Sequence, residues 1–161
     1  YYQESLQLFR DLCDKRMVSH LLNNLGGNFQ RLGELDKAKE HLTESLTIQQ
    51  QVGDVSLIAH ALYNLGQVQC DEGDLVKARQ TYQECTELCR KNDDNWTLMR
   101  VLEVSAKLRL LEQDYECAKA ELEEAHVLSQ NAGDKKTLLK ILETQARLTE
   151  AVSVAPKVAV H

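Results

Sequence analysis

Two histidines of this sequence, His20 and His60, are candidate metal ligands, because imidazole is the commonest metal ligand among protein side chains. At equivalent places on two neighbouring helices, they would be separated by an interhelical distance of about 8–10 Å. A metal ion binds each histidine nitrogen at about 2.1 Å, so the pair is too far apart to share one. The sequence therefore predicts no metal site and no cofactor.

Cysteine is the next candidate for covalent chemistry. Cys85 and Cys89 lie one helical turn apart, but Cys85 falls in a column of small residues, where a thiol packs as a compact apolar group. The five cysteines include no CxxC pair, which is typical of free thiols in a reducing compartment. No phosphate loop, HExxH helix, nucleophile elbow or zinc-spaced set is present either. We therefore expect a non-catalytic protein of the cytoplasm.

Composition and charge set the broad class. The sequence is 43% hydrophobic and 27% charged, with one proline and seven glycines, which favours long amphipathic helices and an all-α fold. A net charge of -6 argues against the phosphate backbone of a nucleic acid as the main partner. No apolar run approaches the roughly 20 residues that span a bilayer. Proteins are therefore the expected partners, rather than nucleic acids or membranes.

A regular period of about 40 residues runs along the chain and must position any functional side chains. Three columns of identical or small residues keep it: Asp14, Asp54, Asp94 and Asp134; Gly26, Gly66, Ala106 and Ala146; Ala38, Ala78 and Ala118. Glycine and alanine let two helix axes approach closely, whereas larger side chains would force them apart. The columns therefore predict antiparallel helix pairs that pack through their small residues.

The period predicts eight helices in about three and a half repeats. The array spans 1–153, with a half repeat at 1–14, full repeats at 15–54, 55–94 and 95–134, and a capping helix at 135–153. The column that begins with Leu25 and Leu65 continues as Ser105 and Gln145, and such a polar change is typical of a terminal repeat. Residues 154–161 lack the pattern and are expected to form a disordered tail.

The pair Leu25-Gly26 in a first helix, followed by Ala38 in the second, resembles the tetratricopeptide repeat, and the same trio recurs one period later. The period is longer than the family's usual one of about 34 residues, and the proline that normally closes the second helix is absent. The resemblance implies a right-handed α-solenoid of antiparallel pairs, whose inner wall is lined by the first helix of each pair. It also implies a scaffold that binds a protein or peptide rather than an enzyme.

Two groups within that family share unit lengths of this kind. One is the sensor array of bacterial signal-transduction ATPases and transcriptional regulators, and the other is the peptide-binding array of Pins-type spindle-orientation adaptors. The segment Ser5–Arg16 is more similar to the bacterial group. This resemblance implies a sensor or regulatory segment of a larger bacterial protein.

Neutral side chains are predicted to line the inner wall in the first two units: His20, Asn23, Asn24, Gln30, His60, Tyr63, Asn64 and Gln67. An amide donates and accepts hydrogen bonds at once, so Asn24 and Asn64 suit a peptide main chain. In the peptide-binding arrays that this chain resembles, the equivalent asparagines hold the main chain of the ligand. The alternative is that each asparagine bonds a neighbouring helix.

Further along the predicted wall the side chains become charged, with cations in excess: Arg100, Glu103, Lys107, Lys140 and Arg147. A cationic wall in an acidic protein predicts an acidic peptide or a partner carboxylate as ligand. The alternative is an ordinary solvated helix face.

Two other functions compete with peptide binding. The array is a structural spacer or an oligomerisation module if no ligand enters the groove, since truncated repeats expose apolar ends that favour self-association. A small-molecule pocket would depend on the cluster of His60, Tyr63 and Cys70 alone.

Overall fold

The computed structural model describes Leu8 and residues 14–154. Residues 14–154 contain seven α-helices and no strand: α1 (Lys15–Arg31), α2 (Leu35–Val52), α3 (Val55–Asp71), α4 (Leu75–Lys91), α5 (Asn95–Leu111), α6 (Tyr115–Ala132) and α7 (Lys135–Val154). The all-α class is confirmed. The described helices number seven rather than the predicted eight, because residues 1–7 and 9–13 of the predicted half repeat lie outside the described residues. Positions 155–161 of the predicted tail lie outside them too.

The chain divides into two compact units, Tyr1–Thr97 and Leu98–His161. The division falls near the start of α5, within the third predicted repeat. Each unit contains helices that pack on their neighbours along the chain, α1 to α4 in the first and α6 with α7 in the second. A single continuous array over 1–153 stays a prediction.

The aspartate column marks where first helices begin. Asp14 Oδ1 accepts the backbone N–H of Met17 at 3.0 Å, and Asp54 Oδ1 accepts that of Leu57 at 3.2 Å. The other two members do the same: Asp94 for Thr97 at 3.0 Å and Asp134 for Thr137 at 3.1 Å. An N-cap of this kind stabilises a helix by about 1 kcal/mol. The periodic aspartates are therefore a set of helix N-caps.

The glycine column marks close helix contacts within each pair of the first unit. A Cβ on Gly26 would lie 2.5 Å from Leu42 Cγ, and one on Gly66 would overlap the ring of Tyr82. Near the other end of each pair, Ser45 Oγ donates to the carbonyl of Ser19 at 2.7 Å. The predicted packing through small residues is confirmed at these positions.

Turns between paired helices use the left-handed backbone region. Gly33 and Gly73 are the middle residues of their three-residue loops, with φ of 77° and 81°. Gln113 holds the equivalent place in the second unit with φ of 62°, a conformation that costs a residue with a side chain about 1–2 kcal/mol. The turn geometry is thus kept even where the glycine is lost.

Candidate functional site

The eight neutral side chains predicted to line a wall lie on α1 and α3, which pack against each other. Their exposure differs. His20 is exposed and Asn24 half-buried, whereas Asn23 and Tyr63 are only 5% and 6% exposed. Asn23 and Tyr63 therefore lie between helices rather than on the surface. The accessible polar groups belong to the residues that follow them, Asn24 and Asn64, which are half-buried.

Two hydrogen bonds join α1 to α3. Asn64 Nδ2 donates to Asn23 Oδ1 at 3.1 Å, and Gln30 Nε2 donates to Asp71 Oδ2 at 2.6 Å. The partners of each bond are 41 residues apart in sequence. One amide hydrogen of Asn64 is thus used between helices, which is the alternative that the sequence left open for this residue.

Two further contacts of this surface join polar groups of the same helix. Asn24 Nδ2 lies 3.4 Å from His20 Nδ1, and Gln67 Nε2 donates to the Tyr63 hydroxyl at 3.1 Å. Gly27 lies beside Asn64, whose side-chain atoms would be 3.8–4.0 Å from a Cβ at that position. The surface is therefore a row of half-buried amides next to a position without a side chain. We call Asn24, Gly27, Asn64 and Gln67 the amide row.

Cys70, which the sequence groups with His60 and Tyr63, contacts the second helix of its own pair. Its sulfur lies 3.7 Å from the hydroxyl of Tyr82 on α4. Burial raises the pKa of the Cys70 thiol and that of the Tyr82 phenol. Both groups therefore stay protonated at neutral pH, and this contact gives no nucleophile.

The charged residues predicted for the wall in the second unit include an ion pair between a buried glutamate and a half-exposed lysine, and two exposed cations. Glu103 on α5 is 3% exposed and accepts from Lys107 Nζ at 2.5 Å and from Thr144 Oγ1 of α7 at 3.1 Å. Lys140 and Arg147 are exposed on α7. The Lys107 charge is therefore already matched by a carboxylate of the same helix.

The sequence did not reveal a second ionic cluster in this unit. Arg109 Nε donates to Glu121 Oε1 and its Nη1 donates to Asp114 Oδ2, both at 2.8 Å. Burial raises the pKa of Glu121 although Arg109 opposes the shift. In the first unit the equivalent positions are Gln69 and Thr81 one period earlier, and two periods earlier Phe29 and His41, whose rings stack at 5.4 Å. The sequence signal for the ion pair is that arginine and glutamate appear in the second unit at two positions that carry neither residue in the first unit.

A groove of about 410 Å³ lies between α6 and α7. Its apolar lining includes Tyr115, Leu122, Leu148 and Val152, with Gln145 among the polar residues. Gln145 occupies the position of Leu65, which in the first unit packs on the core. The groove of the second unit therefore has a polar group at a position that is apolar in the first unit.

Within residues 14–154 no group of three or more His, Cys, Asp or Glu side chains lies close enough to hold a metal ion. No helix of that part combines the length and apolarity needed to cross a membrane. The four described cysteines, Cys70, Cys85, Cys89 and Cys117, are free thiols. The hydrogen bond with Cys89, together with burial, raises the pKa of Cys85.

Antiparallel helix pairs that recur with a fixed period and pack through small side chains define a helical-repeat protein. Comparison with family models gives a match to one such family: residues 17–91 match the model of the tetratricopeptide repeat. Tetratricopeptide repeats generally mediate protein–protein interaction, and their fold is generally a non-catalytic scaffold. Residues 104–152 match the model of anaphase-promoting complex subunit 5.

Among solved structures, the crystal structure of BtubC (BKLC) from P. vanneervenii is similar with a TM-score of 0.72. The two chains are 19% identical, and the match covers 99% of this chain and 75% of that chain. At this identity the similarity shows the fold alone. No curated protein matches the sequence.

Proposed function

We propose that the amide row on α1 and α3 binds an extended segment of a partner protein by its main chain. The row lies within residues 17–91, which match a family whose repeats mediate protein–protein interaction. Its groups are uncharged, so they suit peptide N–H and C=O groups better than a charged side chain.

The half-buried amides beside Gly27 carry this proposal. A carboxamide has two donor hydrogens and an acceptor oxygen, and the contacts of Asn64 and Gln67 described above each use one donor. The absent side chain at Gly27 lets a peptide backbone approach Asn64 closely. Together they offer a place where a main chain fits and exchanges hydrogen bonds.

Replacing Asn24 and Asn64 with alanine tests the proposal. We expect the double variant to bind about 10-fold more weakly, because two hydrogen bonds of about 0.5–1.5 kcal/mol each are lost. The ligand is a 12-residue peptide selected from a random library on the wild-type chain, and its affinity is measured by calorimetry.

Asn23→Ala is the matched control for the loss of the helix-joining bond. It removes the same Asn64–Asn23 contact, but Asn23 is 5% exposed and has little surface to offer a ligand. We expect this variant to bind within about twofold of the wild type. Equal weakening by Asn23→Ala and by the double variant would show that the amides act only on the packing of α1 and α3.

We propose that a partner with acidic side chains is favoured by the exposed cations Lys140 and Arg147 of α7. Arg100, on α5, is half-buried. Lys107 contributes less than the sequence suggested, since Glu103 already neutralises it. Binding through these cations would weaken as salt is raised from about 0.05 to 0.5 M, because exposed charges are screened. Salt-independent binding would remove the acidic partner from the proposal.

We infer a regulatory or sensor segment of a larger protein that acts in the reducing cytoplasm, where the free thiols are expected. The match of residues 104–152 to a subunit of the anaphase-promoting complex favours a second candidate, an assembly module within a multi-protein complex. The full reading frame distinguishes the two, since a nucleotide-binding or DNA-binding domain in the same chain would support the sensor.

A further inference from the structure

The amide row leads to a carboxylate on α3. Asn64, Gln67 and Asp71 are spaced by three and four residues, so their side chains lie on one face of the helix. Asp71 is exposed, and Gln30 of α1 donates to its Oδ2 at 2.6 Å. This hydrogen bond holds the carboxylate on the side of α3 that contacts α1, next to the amide row.

The charge of Asp71 is not neutralised within the described part of the chain. No lysine, arginine or histidine of residues 14–154 forms an ion pair with it. Lys39 pairs instead with the next residue along the chain, Glu72, whose Oε2 lies 2.8 Å from the lysine Nζ. Arg31 donates to Asn28 on its own helix. The amide row therefore ends at an exposed carboxylate that is oriented but carries no cation.

Stacking of the first helices does not require a charged group at this place. One and two periods later, the two positions of the Gln30–Asp71 contact hold uncharged residues: Cys70 with Leu111, and Leu110 with Ala151. The oriented carboxylate is thus peculiar to the two helices that carry the amide row. A role in the packing of the repeat alone does not account for it.

We propose that the segment bound by the amide row carries a lysine or an arginine whose cation binds Asp71. This inference rests on the proposed function of the row, and it adds a side-chain preference to a site that otherwise recognises a main chain. A carboxylate accepts charge-assisted hydrogen bonds from an ammonium or a guanidinium group. The ligand of the first unit is therefore a segment that is basic at one defined position.

The length of the row sets that position. Asn64 and Asp71 are about two helical turns apart, which is about 10 Å along the axis at 1.5 Å per residue. An extended peptide advances about 3.3 Å per residue. A segment that follows the row therefore places its basic residue about three residues from the residue whose main chain bonds Asn64.

Parallel selection from a random library of 12-residue peptides tests the proposal, with the wild-type chain and the variant Asp71→Asn as targets. Asparagine keeps a side-chain oxygen that accepts from Gln30, but it removes the charge. We expect lysine or arginine at one fixed position of the peptides selected on the wild type. Peptides selected on Asp71→Asn should show no such preference.

Calorimetry with one peptide from the wild-type selection measures the contact itself. Asp71→Asn should weaken binding about fivefold, because an ion pair at an exposed position makes a modest contribution. Replacing the basic residue of the peptide with glutamine should weaken binding to the wild type by the same factor, and binding to the variant by less than about twofold. Raising the salt from about 0.05 to 0.5 M should reduce these differences.

Asp36→Asn is the matched control, since Asp36 is exposed on α2 and its substitution changes the net charge equally. This variant should bind within about twofold of the wild type. Gln30→Ala removes the hydrogen bond that orients Asp71 but keeps the charge, so a loss of about twofold to threefold is expected. If the contact served only to join α1 to α3, Gln30→Ala would weaken binding and Asp71→Asn would not.

Failure of this inference and failure of the proposed function give different results. The inference is overturned if the double variant Asn24→Ala and Asn64→Ala weakens binding while Asp71→Asn does not and no basic residue is enriched. In the reverse case, Asp71→Asn weakens binding and the double variant does not, so the basic residue is confirmed and the amide row is not the main-chain site. A library that yields no binder on the wild-type chain overturns both.

Discussion

Replacing Gly66 with leucine is expected to lower the free energy of unfolding by about 3 kcal/mol. A Cβ at this position would overlap the ring of Tyr82, which is 2% exposed and packed on all sides. Leucine gains up to about 1 kcal/mol of helix propensity over glycine, but overpacking a close helix contact costs more. Urea unfolding followed by circular dichroism at 222 nm measures the difference.

Gly27→Ala is the control, because this glycine also lies in a helix but a Cβ there would meet no atom closer than 3.8 Å. Its new methyl group would meet Asn64 at 3.8 Å, which is ordinary contact, so helix propensity should raise stability by up to about 1 kcal/mol. Opposite signs for the two glycines are therefore expected. Unchanged stability in Gly66→Leu would mean that α3 and α4 do not pack through this glycine.

The helix framework could be predicted from the sequence because its determinants are local and periodic. The Gly and Ala columns mark the positions where two helix axes come close. The aspartate column marks where helices begin, because each N-cap aspartate bonds a backbone N–H three residues later. Gly33 and Gly73 mark the turns in the same way. Gln113 shows the limit of such signals, because the left-handed turn persists there without its glycine.

The candidate site was less predictable, because the exposure of a residue on the first helix of one pair depends on how the first helix of the next pair packs against it. Asn23 and Asn64 both read as surface amides, yet one accepts from the other across α1 and α3. Thr144 and Glu103 repeat this relation 41 residues apart in the second unit. A hydrogen bond between side chains of different types leaves no column of identical residues for the sequence to show.

Glu103 illustrates the same limit for charge. The sequence counts it among charged wall residues, but the structure buries its side chain between α5 and α7, with Lys107 and Thr144 as partners. Charge counting cannot separate a cation that is available to a ligand from one that compensates a buried carboxylate. The energetic roles of Glu103 and Lys107 should therefore differ, and mutation can separate them.

Lys107→Ala is expected to lower the free energy of unfolding by about 2 kcal/mol. The variant leaves Glu103, 3% exposed, without the cation that lies 2.5 Å away, and an uncompensated buried charge is costly. The expected loss is below the usual cost for a fully buried pair, because the Lys107 side chain is 42% exposed and its charge is partly screened. Alanine is the best helix former, so propensity cannot cause the loss.

Glu103→Leu should instead stay within about 1 kcal/mol of the wild type, since a leucine of similar volume fills a buried site and the half-exposed Lys107 returns to solvent. The single hydrogen of the Thr144 hydroxyl, which Glu103 Oε1 at 3.1 Å and the carbonyl of Lys140 at 2.9 Å share in the wild type, is then donated to that carbonyl alone. Urea unfolding of both variants measures this asymmetry. If Lys107→Ala proves as stable as the wild type, Glu103 does not depend on that cation. Lys107 would then be available to a ligand carboxylate, as its position in the sequence first suggested.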